Sequence, residues 1–140
     1  MTAIPPARVE PRWSRFSKLT DAREVFPHEG CVYAQTDMDG RPVRIGMASK
    51  GLDKRYHGGD GGAMDAAMHR SGNLVFVAGV DSALCKPVED ELIWQGRRVL
   101  IYNDRGKLNP PLRRVVVIHA GDPPIFSDFD APSQYLPNKR

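Results

Sequence analysis

Cysteine is scarce in this chain: only Cys31 and Cys85 occur among 140 residues, and neither belongs to a Cys-x-x-Cys pair. This scarcity argues against a disulfide-stabilised scaffold and against a structural zinc site, and it favours two reduced thiols. An apolar run long enough to span a bilayer is also missing, and the first residues lack the apolar core of a signal peptide. We therefore expect a cytoplasmic protein without a membrane partner.

Charge of one sign is not in large excess, because the net charge is only +3. Overall charge therefore does not decide between nucleic-acid binding and other functions. The distribution is more informative, with a basic stretch over residues 41–57 and an acidic stretch over residues 81–91. The basic stretch contains Arg41, Arg44, Lys50, Lys54 and Arg55. A site that binds an anion together with a metal ion needs basic residues for the anion and acidic residues for the metal. The alternative interpretation is that the two stretches form two separate solvated surfaces.

The length and composition predict a single globular domain with proline-containing flanks. With 41% hydrophobic and 26% charged residues, the chain is typical of folded rather than disordered proteins. We interpret residues 1–24 as an N-terminal lead-in segment, residues 25–120 as the domain, and residues 121–140 as a Pro-rich C-terminal tail.

Aromatic residues are expected to attach both flanks to the core. In the lead-in segment, Trp13, Phe16 and Leu19 have a loosely helical spacing. In the tail, the candidates for docking are Phe126, Phe129 and Tyr135.

Residues 30–36 and 41–48 predict the two strands of a β-hairpin. Apolar side chains recur at alternate positions in both segments, and residues 37–40 form an Asp-Met-Asp-Gly turn signal between them. Because side chains alternate across a strand, Val32 and Ile45 are expected on one face of the hairpin. Tyr33 and Arg44 are then expected together on the other face.

The remaining segments predict an α+β (mixed α/β) fold. Two short helices are expected over 50–57 and 63–69, a buried strand over 74–80, a helix over 86–97 and a strand over 113–119. In the third helix, Pro87 suits the first turn, and Val88 and Leu92 would face the core. The order β-β-α-α-β-α-β contains too few βαβ units for a doubly wound sheet.

Five short elements, in this order along the chain, resemble the motifs of the GIY-YIG nuclease family. They are Cys31-Val32-Tyr33, Arg44-Ile45-Gly46, Gly51-Leu52-Asp53-Lys54-Arg55, Glu89-Asp90-Glu91-Leu92-Ile93, and Tyr102-Asn103 with Gly106-Lys107. The resemblance covers roughly residues 28–110. It implies a β-β-α-α-β-α core with a small central three-stranded sheet flanked by helices, to which residues 113–119 add a further C-terminal strand.

The resemblance also implies a metal-dependent endonuclease that hydrolyses DNA phosphodiester bonds with Mg²⁺ or Mn²⁺ and without an organic cofactor. Its implied catalytic residues are Tyr33 to orient or deprotonate water, Arg55 to hold the scissile phosphate, Glu89 to bind the metal and Asn103 to support the site. Independently of the resemblance, the predicted substrate-binding residues are Arg44, Lys50 and Lys54 of the basic stretch, together with His57, which could donate to a phosphate. One carboxylate is enough in principle, because Mg²⁺ often binds through one or two carboxylates, waters and the substrate phosphate.

Two positions depart from the family's motifs: Cys31 stands where the first motif has glycine, and Arg44 stands where the second has tyrosine. Arginine only donates hydrogen bonds and stays charged, whereas tyrosine also accepts them and can lose its proton. The positive charge of Arg44 could therefore favour the phenolate form of Tyr33. Alternatively, the replacement removes a tyrosine hydroxyl that the reaction needs. In the second case the chain is a catalytically impaired nucleic-acid-binding module.

A third alternative is a protein-interaction domain whose flanks bind a partner. The Pro-rich tail motivates it. The sequence contains neither a helix-turn-helix pattern nor a zinc-finger pattern, so a protein partner is one possible source of DNA specificity.

Overall fold

The computed structural model describes residues 6–17, 19–52, 72–103, 105–130 and 134–135. Its strands are β1 (Ala7–Val9), β2 (Arg12–Phe16), β3 (Cys31–Asp37), β4 (Pro42–Ala48), β5 (Gly72–Gly79), β6 (Val115–Gly121) and β7 (Gln134–Tyr135). Its helices are α1 (Leu19–Val25) and α2 (Ser82–Gln95). This confirms the predicted α+β class. The predicted helix over 63–69, and that over 50–57 beyond Leu52, lie outside the described residues.

The predicted hairpin is confirmed, and it is the part of the sheet that carries the candidate site. Strand β3 pairs antiparallel with β4 on one side and with β5 on the other. In the turn, the Asp37 carboxylate accepts hydrogen bonds from the backbone N–H groups of Asp39 (2.9 Å) and Arg41 (3.0 Å). Gly40 completes the turn with a φ of 89°, a conformation that favours glycine.

The sheet is larger than the three strands that the family resemblance implies. Strands β1 and β2 run parallel to β6, pairing Ala7 with Val115 and Arg12 with Ala120. The offset is the same at both ends (115 − 7 = 108 and 120 − 12 = 108), so β1 and β2 form one broken strand along β6. The order is therefore β6, β1/β2, β5, β3, β4, with β7 also pairing β6.

The lead-in segment consequently contributes two strands to the sheet: Trp13 and Phe16 lie on β2 despite their loosely helical spacing, whereas Leu19 begins α1. Trp13 is buried on β2, whereas Arg12 and Arg15 are exposed. Strand β2 pairs with β5 on one side and β6 on the other, and this two-sided pairing overrides the local spacing.

The docking of the C-terminal tail through Phe126 and Phe129 is confirmed, because both rings are buried. Phe126 stacks on His119 of β6 with 4.1 Å between ring centroids. The Trp13 Nε1–H donates to His119 Nδ1 at 3.0 Å. Burial lowers the pKa of His119 to about 4, so this imidazole is neutral at pH 7.

Helix α2 begins four residues before the predicted start, because Asp81 caps it by accepting a hydrogen bond from the Ala83 N–H at 3.1 Å. Pro87 consequently lies inside the helix and not in its first turn. Val88 and Leu92 are buried, as predicted. Neither described helix is long and apolar enough to cross a membrane.

Two hydrophobic clusters cover the two faces of the sheet. Val32, Ala34 and Ile45 belong to the cluster that includes α2 residues. Cys31 and Tyr33 belong to the cluster that includes Ala22 of α1. The face assignment predicted from strand alternation is therefore confirmed for these residues.

Candidate functional site

A pocket of about 450 Å³ lies where α2 faces the edge strand β4 and the segment 102–106. Its lining residues are Arg44, Ile45, Met47, Lys86, Glu89, Asp90, Ile93, Tyr102, Asn103, Arg105 and Gly106. Three of the predicted site residues, Arg44, Glu89 and Asn103, thus share one pocket although they lie in separate parts of the sequence.

Asn103 forms one wall of the pocket by completing the free edge of β4. Its Oδ1 accepts from the Ile45 N–H at 2.8 Å, and its Nδ2 donates to the Ile45 carbonyl at 2.9 Å. The neighbouring Tyr102 N–H donates to the Val43 carbonyl at 3.0 Å. The 102–103 segment therefore satisfies backbone groups that an edge strand otherwise exposes. This arrangement accords with the supporting role implied for Asn103.

Arg44 reaches the pocket because β4 is an edge strand. In the sheet register it pairs with Gln35, two residues after Tyr33, so it begins on the same face as Tyr33, as predicted. Its Nη1 donates to the Tyr102 carbonyl at 3.3 Å, which brings the guanidinium to the strand edge. Its buried Nε has no hydrogen-bond partner within the described part of the chain.

Two carboxylates of α2 face this pocket and share one counter-ion. The Lys86 Nζ lies 3.2 Å from Glu89 Oε1 and 2.8 Å from Asp90 Oδ1. The hydrogen bond to Asp90 is the main reason why the pKa of Lys86 is raised. The Glu89 side chain is only 16% exposed, whereas Lys86 is 63% exposed. The partly buried carboxylate is therefore neutralised by a lysine that is free to move into solvent.

The donor set fits a hard cation. Glu89 and Asp90 offer the oxygen ligands that Mg²⁺ and Mn²⁺ prefer. Among the described residues, no group of three or more His, Cys, Asp or Glu side chains is placed to hold a metal. Any such ion would therefore rely on these one or two carboxylates, with waters and a substrate phosphate as its other ligands.

Tyr33 does not line the pocket. Its side chain is fully buried in the cluster on the opposite sheet face. Its ring lies over Gly46, the residue paired with it on β4, so closely that a Cβ at Gly46 would collide with the Tyr33 Cζ and Oη atoms. The glycine of this motif is therefore required by packing. The catalytic role of Tyr33 stays a prediction.

Of the other predicted substrate-binding residues, Lys50 lies outside the pocket. Lys50 is exposed just after β4 and is not among the lining residues. Lys54, Arg55 and His57 lie outside the described residues.

Sequence reasoning assigned no role to three polar residues of the pocket: Lys86, Asp90 and Arg105. The i,i+3 and i,i+4 spacing of Lys86 to Glu89 and Asp90 was a usable signal for the first two, because residues so spaced meet on a helix surface. Arg105 had no such signal, since its place depends on the turn after Asn103.

Neither cysteine is suited to nucleophilic chemistry. Burial raises the pKa of the Cys31 thiol to about 12 and that of Cys85 to about 11. The thiolate, which is the reactive form, is therefore strongly disfavoured at neutral pH.

Comparisons of the chain with models of known protein families, with curated proteins and with solved structures find no match.

Proposed function

We propose that this protein is a metal-dependent endonuclease that hydrolyses DNA phosphodiester bonds at the pocket between α2 and β4. One observation carries the proposal: Arg44, Glu89 and Asn103 line the same pocket. They belong to three separate motifs that resemble those of the GIY-YIG family. If the motifs resembled the family only by chance, there would be no reason for these three residues to lie together in space.

The chemistry divides between a bound cation and the protein's own cations. Glu89, with Asp90 beside it, would hold Mg²⁺ or Mn²⁺, which supplies charge neutralisation of the phosphate and acidifies bound water. Arg44 binds and orients the phosphate through its guanidinium, and Arg105 adds positive charge at the pocket wall. Asn103 fixes the edge of β4 and thereby the position of Arg44.

The other predicted site residues have supporting roles in this proposal. Tyr33 supports β4 by packing against Gly46, and its predicted part in water activation is tested by Tyr33→Phe. Lys50, Lys54, Arg55 and His57 belong to the basic stretch that would bind the DNA backbone.

A second candidate function is a nucleic-acid-binding module without cleavage. Two observations favour it: Lys86 already neutralises Glu89 and Asp90, and Tyr33 is buried away from the pocket. Such a module would bind DNA in a strongly salt-dependent way but would not need a divalent cation.

The deciding experiment is cleavage of supercoiled plasmid and of a branched DNA by the purified protein, with Mg²⁺ or Mn²⁺ and with EDTA. Glu89→Ala is compared with wild type and with Glu24→Ala, which removes an exposed carboxylate from α1. We expect metal-dependent cleavage by wild type and Glu24→Ala, and its loss in Glu89→Ala.

If well-folded wild type cleaves neither DNA but binds both with strong salt dependence, the second candidate function replaces the first. If cleavage persists in Glu89→Ala, the assignment of the metal site to this pocket is wrong.

A further inference from the structure

The loop between the pocket and β6, residues 105–114, presents two apolar side chains to solvent. Leu108 is 91% exposed and Leu112 is 107% exposed. A single exposed leucine needs no explanation, but this short loop beside a polar pocket exposes two of them almost completely.

Both ends of this loop are fixed to the core. At its start, Gly106 lies against Ile93 of α2, and the Lys107 Nζ donates to the Leu100 carbonyl. At its end, Arg114 binds the buried carboxylate of Glu91 through two hydrogen bonds of 2.7 and 2.9 Å. Two consecutive prolines between the leucines restrict the backbone further. The leucines are therefore presented by an anchored loop and not by a loose one.

The charge of the loop identifies the kind of partner. No acidic residue occurs between positions 105 and 114. Arg105 and Arg113 are exposed, and Arg105 also lines the pocket. Leu108 and Leu112 lie between Arg105 and Arg113 in the sequence. This pattern of cations and apolar groups is complementary to a polyanion that has apolar groups between its negative charges. DNA has this chemistry, because its phosphates flank stacked bases.

The loop is also close to the pocket along the chain. Gly106 lines the pocket, and Leu108 follows two residues later, so their Cα atoms lie within about 8 Å of each other. A DNA strand whose phosphate occupies the pocket would therefore have neighbouring bases within reach of this loop.

We propose that Leu108 and Leu112 form a wedge that inserts between bases next to the phosphate held in the pocket, while Arg105 and Arg113 bind the flanking phosphates. The inference rests on the proposed function and extends it: the preferred substrate is DNA whose bases unstack easily, such as flexible pyrimidine–purine steps or branch points. Apolar side chains that unstack a base step are a known means of distorting duplex DNA.

The test uses DNA duplexes and a branched junction that carry 2-aminopurine, whose fluorescence rises when it unstacks. Binding is measured in EDTA so that no DNA is cut. The double variant Leu108→Ser/Leu112→Ser is compared with wild type and with Val25→Ser, which removes an exposed apolar side chain from α1. Circular dichroism checks that each variant is folded.

We expect wild type and Val25→Ser to raise the fluorescence of at least one probe position, and the double leucine variant to lose this rise and to bind about tenfold more weakly or worse. A second variant, Arg105→Gln/Arg113→Gln, should lower the slope of log affinity against log salt by roughly 0.9 for each DNA phosphate that the protein no longer neutralises.

Two failures are distinguishable. If wild type cleaves DNA and the leucine variant binds, unstacks and cleaves like wild type, the wedge is wrong and the proposed function stands. If wild type neither binds nor cleaves any of these DNAs, the proposed function is wrong and the wedge with it, and the leucines then serve another partner such as a protein.

Discussion

The side-chain amide of Asn103 forms two hydrogen bonds with the backbone of a single residue, Ile45 of the edge strand β4. In this way one side chain takes the place of a neighbouring strand. Asn103 therefore both forms part of the wall of the candidate site and supplies the hydrogen bonds that the Ile45 backbone needs at the edge of the sheet.

Replacing Asn103 should destabilise the protein. Asn103→Ala leaves a buried N–H and a buried carbonyl without their partner, which we expect to lower the free energy of unfolding by about 2–4 kcal/mol. Urea denaturation measures this decrease. Asn109→Ala, in the exposed part of the 105–114 loop, is the matched control and should change stability by less than about 0.5 kcal/mol. Equal stability of the two variants would contradict the role given to the Asn103 hydrogen bonds.

Gly46 should be replaceable only if Tyr33 is reduced in size. In Gly46→Ala the new methyl group collides with the Tyr33 ring, and overpacking of this kind costs about 1–3 kcal/mol or more. Gly79→Ala in β5 is the matched control, because its Cβ would lie 3.6 Å from Phe26, an ordinary contact. In a double-mutant cycle, Gly46→Ala should cost much less in a Tyr33→Ala background. Strict additivity would show that the collision is not the cause.

His119 should make the stability of the protein depend on pH between about 6.5 and 4. Burial lowers the pKa of His119 to about 4, whereas the unfolded value is about 6.5. In this interval the unfolded chain binds a proton that the folded protein excludes, so the free energy of unfolding falls as the pH falls. The total contribution is at most about 3 kcal/mol and levels off below pH 4.

The matched variant is His119→Asn, which keeps a hydrogen-bond acceptor for the Trp13 Nε1–H but cannot titrate in this range. Unfolding curves at half-unit pH steps should show a flatter profile between pH 6.5 and 4 for this variant than for wild type. Parallel profiles would contradict the prediction.

Lys86 should compete with a divalent cation for Glu89 and Asp90. Removing it in Lys86→Gln is expected to tighten Mn²⁺ binding about two- to fivefold, a modest gain because an exposed ion pair contributes only about 0.2–1 kcal/mol. Isothermal titration calorimetry measures the affinity, with Lys50→Gln as the control for removal of positive charge outside the pocket. Weaker binding by Lys86→Gln than by Lys50→Gln would show that Lys86 supports the site and does not obstruct it.

The parts of the fold that the sequence predicted are those determined by local pattern. The hairpin follows from period-two alternation and an Asp-Gly turn, and both signals lie within a few residues of the elements that they form. The strand character of Trp13 and Phe16 was missed, because it depends on pairing with β5 and β6, far along the chain. Single-sequence periodicity does not contain that information.

The candidate site shows the same division. Motif order pointed to Arg44, Glu89 and Asn103, and the structure brings them to one pocket. The order of the motifs did not reveal that Lys86 bridges the two carboxylates, because that contact depends on side-chain placement around one helix turn. Nor did it reveal that Tyr33 packs against Gly46, because that contact depends on one cross-strand pair.

The position of the broken strand β1/β2 has a consequence for synthesis on the ribosome. Strand β2 emerges early, but its two neighbours, β5 and β6, begin only at Gly72 and Val115. In a nascent chain, β2 therefore keeps at least one open edge until β6 has been translated. Completion of this sheet is therefore a late event, and the hairpin that supplies Arg44, Ile45 and Met47 to the pocket is connected to β6 only through β5 and β2.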